Sequence, residues 1–267
     1  MNNLIQSSVN EHNKDLPSIF IAQPTLGAVR PEHVMNIVGW FLLGKYRMAY
    51  HPGIGSIPHD RARNILVADF LEDDSYDYLL FLDANTIAPF GALEALMEAD
   101  KDVCSITAQT FKVSDSGTRH IVPTSFRWND KKGGYSFYIG TGVEEVDITH
   151  MACTLIKKEV LQEMERPWFS FEFADNNGTD LIGEEFSFSR RVREAGYKIF
   201  NRYDMLSHHF VNVDTNTVNS IIVRTHNNAI KEASVAFENA KSMQNLIDPS
   251  KHHKPIGRES IDKLKWT

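Results

Sequence analysis

Apolar positions along this chain fall into short runs whose period changes partway along. Ser18-Ile19-Phe20-Ile21-Ala22 is a compact apolar run ending at Gln23-Pro24-Thr25, which predicts a strand and then a turn where a binding loop begins. His33 to Leu43 suits a helix, Lys45 to His51 a strand, and the Gly- and Pro-bearing stretch His51 to Pro58 a loop. Asp60 is placed to cap a helix in which Ala62, Ile65, Leu66 and Phe70 recur at helical spacing, ended by Glu72-Asp73-Asp74. Tyr76 to Leu82 is a nearly continuous apolar strand, of the kind that expects cover on both faces, and it runs into Asp83-Ala84-Asn85. Pro89 opens a helix to Ala99 with Leu93, Leu96 and Met97 facing inward, and Val103 to Thr107 reads as another strand. Strands alternating with helices in this way predict an α/β sheet of mainly parallel strands joined by right-handed crossovers.

After Gln109 the pattern changes. Phe111 to Val146 is polar, holds the turn Asp130-Lys131-Lys132-Gly133-Gly134 and alternates over Tyr135 to Ile139, which predicts a small antiparallel section. His150 to Ile156 returns as a strand, and Lys158 to Arg166 as a helix stopped by Pro167-Trp168-Phe169. The loop Asp175 to Gly183 leads into a helix over Glu184 to Ala195, ended by Gly196 before a short strand at Lys198 to Phe200. Ile230, Ala233, Phe237 and Ala240 predict a helix over Asn227 to Ile247, and Lys251 to Lys254 a loop. The expected organisation is an N-terminal extension over 1–17, one α/β domain over 18–215 and a C-terminal helical extension over 216–267.

The 267 residues, 42% hydrophobic and 24% charged, are enough to bury a sizeable core. Basic residues number 28 against 35 acidic ones, and the formal charge of -7 argues against broad nucleic-acid binding, which needs a basic face. Two cysteines, Cys104 and Cys153, exclude a disulfide-dense scaffold and favour a reduced, cytoplasmic setting, with a single bridge left open. Met1 to Pro17 lacks the apolar stretch of a secretory signal. The apolar run within Val34 to Tyr50 meets Lys45 and Arg47 before the roughly 20 apolar residues of a membrane span accumulate, so no span is expected.

Asp83 and Asn85 leave a buried strand at the edge where open α/β sheets bind ligands. Two oxygen-bearing side chains one residue apart suit a hard divalent cation, and they equally suit an Asx-turn capping the next helix. Glu184-Glu185 at a helix mouth suits a general base or a favourable first-turn charge. His208-His209 offers one imidazole to a metal, since neighbours on a strand point to opposite faces. Arg61 and Arg63 are placed to reach a diphosphate or to be solvated, and Trp168, Phe169 and Phe171 to floor a sugar pocket or to form a satellite core.

These motifs follow one another in a definite order. They are Ile19 to Thr25, Arg61-Ala62-Arg63-Asn64, Tyr78 to Asn85 with Pro89, His150 to Lys158, Pro167-Trp168-Phe169, Gly183 to Arg190 with Gly196-Tyr197-Lys198-Ile199, and Leu206-Ser207-His208-His209. In that order, over residues 18 to 210, the chain resembles nucleotide-sugar-dependent glycosyltransferases of the A-type fold, especially the inverting family 2 enzymes. The resemblance implies a single A-type domain, a nucleoside-diphosphate-sugar donor and an acceptor hydroxyl such as one on a glycan. It implies Mn²⁺ or Mg²⁺ held by Asp83 and Asn85 with His208. Gln23, Pro24 and Thr25 would shape the nucleotide pocket, with Arg63 and Ala84 at the diphosphate. Glu185, with Glu184 as the alternate, would deprotonate the acceptor, and Trp168 and Phe169 would border it.

The chain departs from the family pattern at named positions. Asn85 stands where the Asp-x-Asp element ends, and it offers a carbonyl oxygen without charge. Glu185 stands in place of an aspartate, and the histidine doublet leaves its register open, with His208 the better match. Two other classes stay open. A nucleotidyltransferase commonly needs a Gly-rich phosphate loop, for which Gln23-Pro24-Thr25-Leu26-Gly27 is a poor substitute, and a noncatalytic carbohydrate-binding or scaffold protein would keep the fold after losing charge at Asn85. An enzyme acting on modified DNA falls within the transferase class but draws no support from the acidic balance. The C-terminal helix has three open roles: a homodimer contact, a cover for the acceptor site, or the end of the core.

Overall fold

A computed structural model describes residues 15–27, 29–55, 57–113, 119–210, 226–235 and 238. The chain divides into two units, Met1–Val211 and Asn212–Thr267, and every candidate site residue lies in the first.

That unit opens with β1 (Ser18–Thr25), α1 (Pro31–Leu43), β2 (Arg47–Ile54), α2 (His59–Glu72) and β3 (Tyr78–Leu82). β1 pairs in parallel with both β2 and β3, so the two helices are crossovers, as the alternation predicts. β1 does not turn at Gln23. It continues to Thr25 because β2 lies alongside, with Gln23 opposite Pro52 and Thr25 opposite Ile54, and for the same reason the expected loop after His51 begins as strand. α2 starts behind Pro58 rather than at an Asp60 cap; Asp60 sits in the first turn, where its Oδ1 accepts the Arg61 N–H at 2.7 Å. The buried stripe is also rotated from the expected one. Ala62, Arg63, Leu66, Val67 and Phe70 face inward while Ile65 is exposed, which puts a charged side chain on the core face of α2.

Next come β4 (Thr86–Ile87), α3 (Ala92–Ala99) and β5 (Val103–Thr107). The predicted antiparallel section is two hairpins, β6 (Gln109–Val113) with β7 (Arg119–Pro123) and β8 (Phe126–Asn129) with β9 (Gly134–Phe137). The unit closes with β10 (Val143–Val146), β11 (Cys153–Lys157), α4 (Lys158–Glu163), β12 (Glu172–Phe173), β13 (Leu181–Ile182), α5 (Glu184–Glu194), β14 (Ile199–Leu206) and β15 (His208–His209).

The central sheet has seven strands in the order β10-β14-β5-β11-β3-β1-β2. β1, β2, β3, β5 and β14 run one way, and β10 and β11 run against them. Because β11 is antiparallel between β3 and β5, its amino end meets their carboxyl ends. Asp83, Thr107 and Ser207 therefore share one sheet edge with His150, Met151 and Ala152, and the Asp83 N–H donates to the Ala152 carbonyl at 3.0 Å. Ligands of open α/β sheets bind at that edge.

Strand alternation feeds two cores. Phe20, Leu79 and Phe81 pack with Leu66 and Phe70 of α2, Leu161 of α4 and Phe188 of α5 on one face. Ile19, Leu80 and Leu82 pack with Ile37 and Trp40 of α1 and Leu93 and Leu96 of α3 on the other. Each such fully buried side chain contributes about 1.5–3 kcal/mol. Cys104 and Cys153 are both free thiols within this core, and burial pushes each up to about 12. Among the described residues no helix is long and apolar enough to cross a membrane.

In the second unit, residues 226–235 are helical, beginning one residue before the helix expected over 227–247. Residues 1–14 of the expected N-terminal extension, positions 236–237 and 239–247 of the expected helix and the loop at Lys251 to Lys254 lie outside the described residues.

Candidate active site

Arg63, 2% exposed, is the centre of the sheet-edge cluster. Its Nη1 and Nη2 donate to Asp83 Oδ1 and Oδ2 at 3.0 and 3.3 Å. Its Nε lies 3.6 Å from Glu184 Oε1, and Nη2 lies 3.7 Å from Glu185 Oε1. The rings of Phe81 and Phe169 line the guanidinium, with centroids 5.4 and 5.9 Å away. Burial by itself disfavours the charge, but the three carboxylates, Asp83 foremost, outweigh it and raise the guanidinium above its ordinary range. One cation on the core face of α2 thus gathers acids from the end of β3 and the first turn of α5.

Glu185 Oε1 also accepts the Met151 N–H at 2.9 Å, from the buried loop ahead of β11. Burial pushes the Glu185 carboxyl up to about 7; Arg63 opposes the rise, and the charges of Glu184 and Asp83 add to it. With 33% of its side-chain surface open, water screens part of this effect, and the upward direction is what bears on the chemistry. A carboxyl that titrates near neutrality and stays accessible has the properties of a general base.

Asn85 is held by its amide nitrogen, which donates to the Phe210 carbonyl at 3.0 Å and lies 3.1 Å from His209 Nε2. His209 Nδ1 lies 3.0 Å from the Gln109 carbonyl. A carbonyl only accepts, so Nδ1 carries the proton and Nε2 presents its lone pair to Asn85. The resemblance had favoured His208 here. β15 pairs with β4 so that His209 sits opposite Thr86 and His208 opposite Ile87. Neighbours on a strand point to opposite faces, which turns His209 to Asn85 and leaves His208 exposed.

Oxygens from Asp83 and Asn85 and the Nε2 nitrogen of His209 are donor types that a divalent cation takes, although Nε2 here accepts from the Asn85 amide. They make a sparsely charged set. Both Asp83 oxygens are engaged by Arg63, and among the described residues no group of three His, Cys, Asp or Glu side chains is arranged to hold a metal.

The β1 residues play a supporting part. Gln23 is wholly buried, its Oε1 accepting from the Tyr50 hydroxyl and its Nε2 paired with His33 Nε2, while His33 Nδ1 donates to the Thr86 carbonyl at 2.7 Å. The chain of contacts ties β1 and α1 to β4 from beneath, so Gln23 does not face a ligand as the resemblance implied. Burial lowers the His33 pKa, with Thr86 and Asp83 opposing, which disfavours the charged ring. No motif marks His33; its signal is its place on the inner stripe of α1 with Ile37 and Trp40. Pro24 is buried beside Gln23, and Thr25 takes the Gly27 N–H on its hydroxyl at 3.1 Å, where φ of 108° requires glycine. Ala84 lies half-buried between Asp83 and Asn85.

Trp168 and Phe169 do not border an acceptor. They are 4% and 0% exposed. Trp168 Nε1 donates to the Leu161 carbonyl at 2.8 Å, and Phe169 stacks on Phe188 at 4.5 Å and meets Phe81 edge-on. Asn64 pairs with both backbone groups of Phe169, at 2.7 and 3.1 Å, so Arg63 and Asn64 together dock α2 against this segment. His150 was also not singled out. Its Nδ1 accepts the Ala152 N–H at 3.0 Å, and burial drives the ring down to about 4, so it is neutral beside Asp83.

No protein-family model matches the chain, and no curated protein matches it. Solved structures similar to it include A197 from STIV, at 20% identity over 74% of this chain and 87% of that one, with a TM-score of 0.49. GalNAc-T7, solved with UDP, GalNAc and Mn²⁺, is similar at 12% identity over 74% of this chain and 44% of its own, with a TM-score of 0.44. The catalytic domain of Drosophila β1,4-galactosyltransferase 7, solved with xylobiose, is similar at 11% identity over 74% of this chain and 72% of its own, with a TM-score of 0.42.

Proposed function

We propose that this chain is a glycosyltransferase that moves a sugar from a nucleoside-diphosphate donor to an acceptor hydroxyl, with inversion and with the help of Mn²⁺ or Mg²⁺. The observation that carries the reading is the Glu185 carboxyl, raised to about 7 and 3.7 Å from the guanidinium that clamps Asp83 at the exit of β3. Glu185 takes the acceptor proton as the hydroxyl oxygen attacks the anomeric carbon, and the bond to the diphosphate breaks with its electron pair leaving on the diphosphate. One direct displacement inverts the centre. Glu185 is the base in preference to Glu184 because its side chain is 33% open against 13%.

Arg63 holds Asp83 and Glu185 in fixed relation, so the base needs no rearrangement at the moment of transfer. Asp83, Asn85 and His209 would hold the cation, which when bound places positive charge beside a leaving diphosphate. Thr25 and the loop after it would border the nucleotide. The two free thiols support a reducing, cytoplasmic setting.

Calorimetric titration of nucleoside diphosphates and their sugar conjugates, each with Mn²⁺ and with chelator, tests the reading, together with donor hydrolysis by the parent chain and Glu185→Gln. Cation-dependent binding of one nucleotide, with hydrolysis lost in the variant, supports it. Silence across the whole panel overturns it in favour of a noncatalytic protein.

A further inference from the structure

Asn85 and His209 flank or belong to a ribbon too short to hold itself in place. β4 and β15 pair over two residues each, and the first unit ends at Val211, just after His209 and Phe210. A two-stranded pair of this size is marginal in water, and the end of a compact unit frays unless something ties it down. Both strands are tied to one place, the amino end of α1. His33, wholly buried in its first turn, donates from Nδ1 to the Thr86 carbonyl of β4 at 2.7 Å. Arg30, three residues earlier, lays its guanidinium over the ring of Phe210, with Cζ 3.9 Å from the centroid.

Phe210 in turn locks Asn85. Its N–H donates to the main-chain carbonyl of Asn85 at 2.8 Å, and its own carbonyl accepts from Asn85 Nδ2 at 3.0 Å. The second Nδ2 hydrogen goes to His209 Nε2, 3.1 Å away. Both amide hydrogens are committed, so Oδ1 is the atom of this side chain that can meet a cation. An aspartate could make neither bond, because a carboxylate only accepts, and this gives the departure from Asp-x-Asp a physical reason.

Among the described residues nothing holds the Arg30 side chain more firmly than Phe210 does. Its Nε lies 3.6 Å from Glu32 Oε2, in a pair whose side chains are 45% and 55% exposed, and such surface pairs contribute little. Arg30 is also the N-cap of α1, but it serves there through its backbone carbonyl, which accepts the His33 and Val34 N–H groups, and its side chain makes no cap bond. The guanidinium is thus placed to act on the ring, where an exposed cation–π contact shifts an equilibrium by about 2–5-fold.

We propose that Arg30 is a positioning residue: by stacking on Phe210 it fixes the Asn85–His209 pair and so sets the geometry of the proposed cation site. The loop that leaves β1 at Thr25 ends at Arg30, so the same residue ties the segment proposed to border the nucleotide to that pair. The effect on a cation rests on the transferase reading; the clamp on the ribbon does not.

The full-length chain is compared with Arg30→Gln, Arg30→Lys, Phe210→Leu and the Arg30→Gln/Phe210→Leu double variant by amide hydrogen exchange, nitrogen NMR of the histidine rings and calorimetric titration with Mn²⁺ alone. Arg30→Gln is expected to speed exchange of the Phe210 amide by about 2–5-fold and to mix the His209 tautomers, which are Nδ1-protonated in the parent. Mn²⁺ affinity falls by a similar factor. Arg30→Lys keeps a cation over the ring and restores most of each, a rescue that a purely structural role would not need. The melting temperature of Arg30→Gln stays at the parent value, as for exposed positions in general. In the Phe210→Leu background Arg30→Gln adds nothing further to the tautomer or affinity changes. An unchanged Phe210 amide and His209 ring in Arg30→Gln, or substitutions whose effects simply add, overturns the proposal. Faster exchange and mixed tautomers with no Mn²⁺ binding by any chain uphold the clamp and remove the cation from the transferase reading, so the two failures are told apart.

Discussion

Arg63 grips both carboxylate oxygens of Asp83, at 3.0 and 3.3 Å, where the central strand β3 leaves the sheet. The pair has a dry side and a wet side, with the two side chains 3% and 21% exposed. Two parallel charge-assisted bonds fix orientation as well as charge, which a lysine at the same place would not do. The same guanidinium faces Glu184 and Glu185, so its removal leaves three acids without their counter-charge. Arg63→Met is therefore expected to destabilise the protein by about 3–5 kcal/mol in chemical denaturation, the scale for breaking a buried ion cluster from one side. A loss below about 1 kcal/mol, the value of a surface pair, would remove Arg63 from the centre of the site.

Glu185→Gln is expected to lower transfer by about 100-fold or more while nucleotide binding persists, because the amide cannot accept the acceptor proton. The parent kcat/KM should rise as pH increases through about 7, as the raised carboxyl becomes the base form. Stability has the opposite slope. The folded chain keeps this proton up to about 7 while the unfolded chain releases it near 4.5, so the group's contribution is full below 4.5 and is lost as pH rises through 7. The melting temperature of Glu185→Gln relative to the parent should therefore increase between about pH 5 and pH 8. A pH-independent difference would show that Glu185 titrates like a solvated carboxylate.

The sheet edge was legible because its signals are long-period ones: continuous apolar strands at Ile19 to Ala22 and Leu79 to Leu82 and a mostly apolar one at Val103 to Ile106, each followed by a helix or a polar exit. Glu184 and Glu185 were legible for the same reason, since Gly183 and the amphipathic run after it mark a helix start. What sequence could not resolve was short-range orientation. Trp168 and Phe169 lie in a segment with no period to say which way they point, and it is the rings of Phe81 and Phe188 that draw Phe169 inward. The histidine register depends on a pairing with Thr86 and Ile87, two residues too short to announce themselves as a strand. Gln23 is polar at a strand end, and its burial follows from His33 and Tyr50, which come from other elements.

Phe169→Ala separates a core role from an acceptor role. Phe169 has no exposed surface and packs on Phe188 and Phe81, so truncation leaves a cavity beneath Arg63 and should cost about 3–5 kcal/mol in denaturant unfolding. Unchanged stability with a raised acceptor KM would return Phe169 to the acceptor side.

The two adjacent histidines give the sharpest test of the proposed cation site, because they differ in orientation rather than chemistry. His209 presents Nε2 to Asn85 with its Nδ1 proton committed to the Gln109 carbonyl, whereas His208 lies across from Ile87 on the other face. His209→Ala should weaken Mn²⁺-dependent nucleotide binding by about 10–100-fold, the range for losing an oriented group at a metal site. His208→Ala should change it by less than about 2-fold, as for surface substitutions in general. Asn85→Asp adds the charge that the edge lacks, and it should tighten Mn²⁺ binding measured calorimetrically without nucleotide, even though it forfeits the amide donated to the Phe210 carbonyl. If the His208 and His209 substitutions act equally, β15 does not set the register described, and the cation is held without an imidazole from this strand.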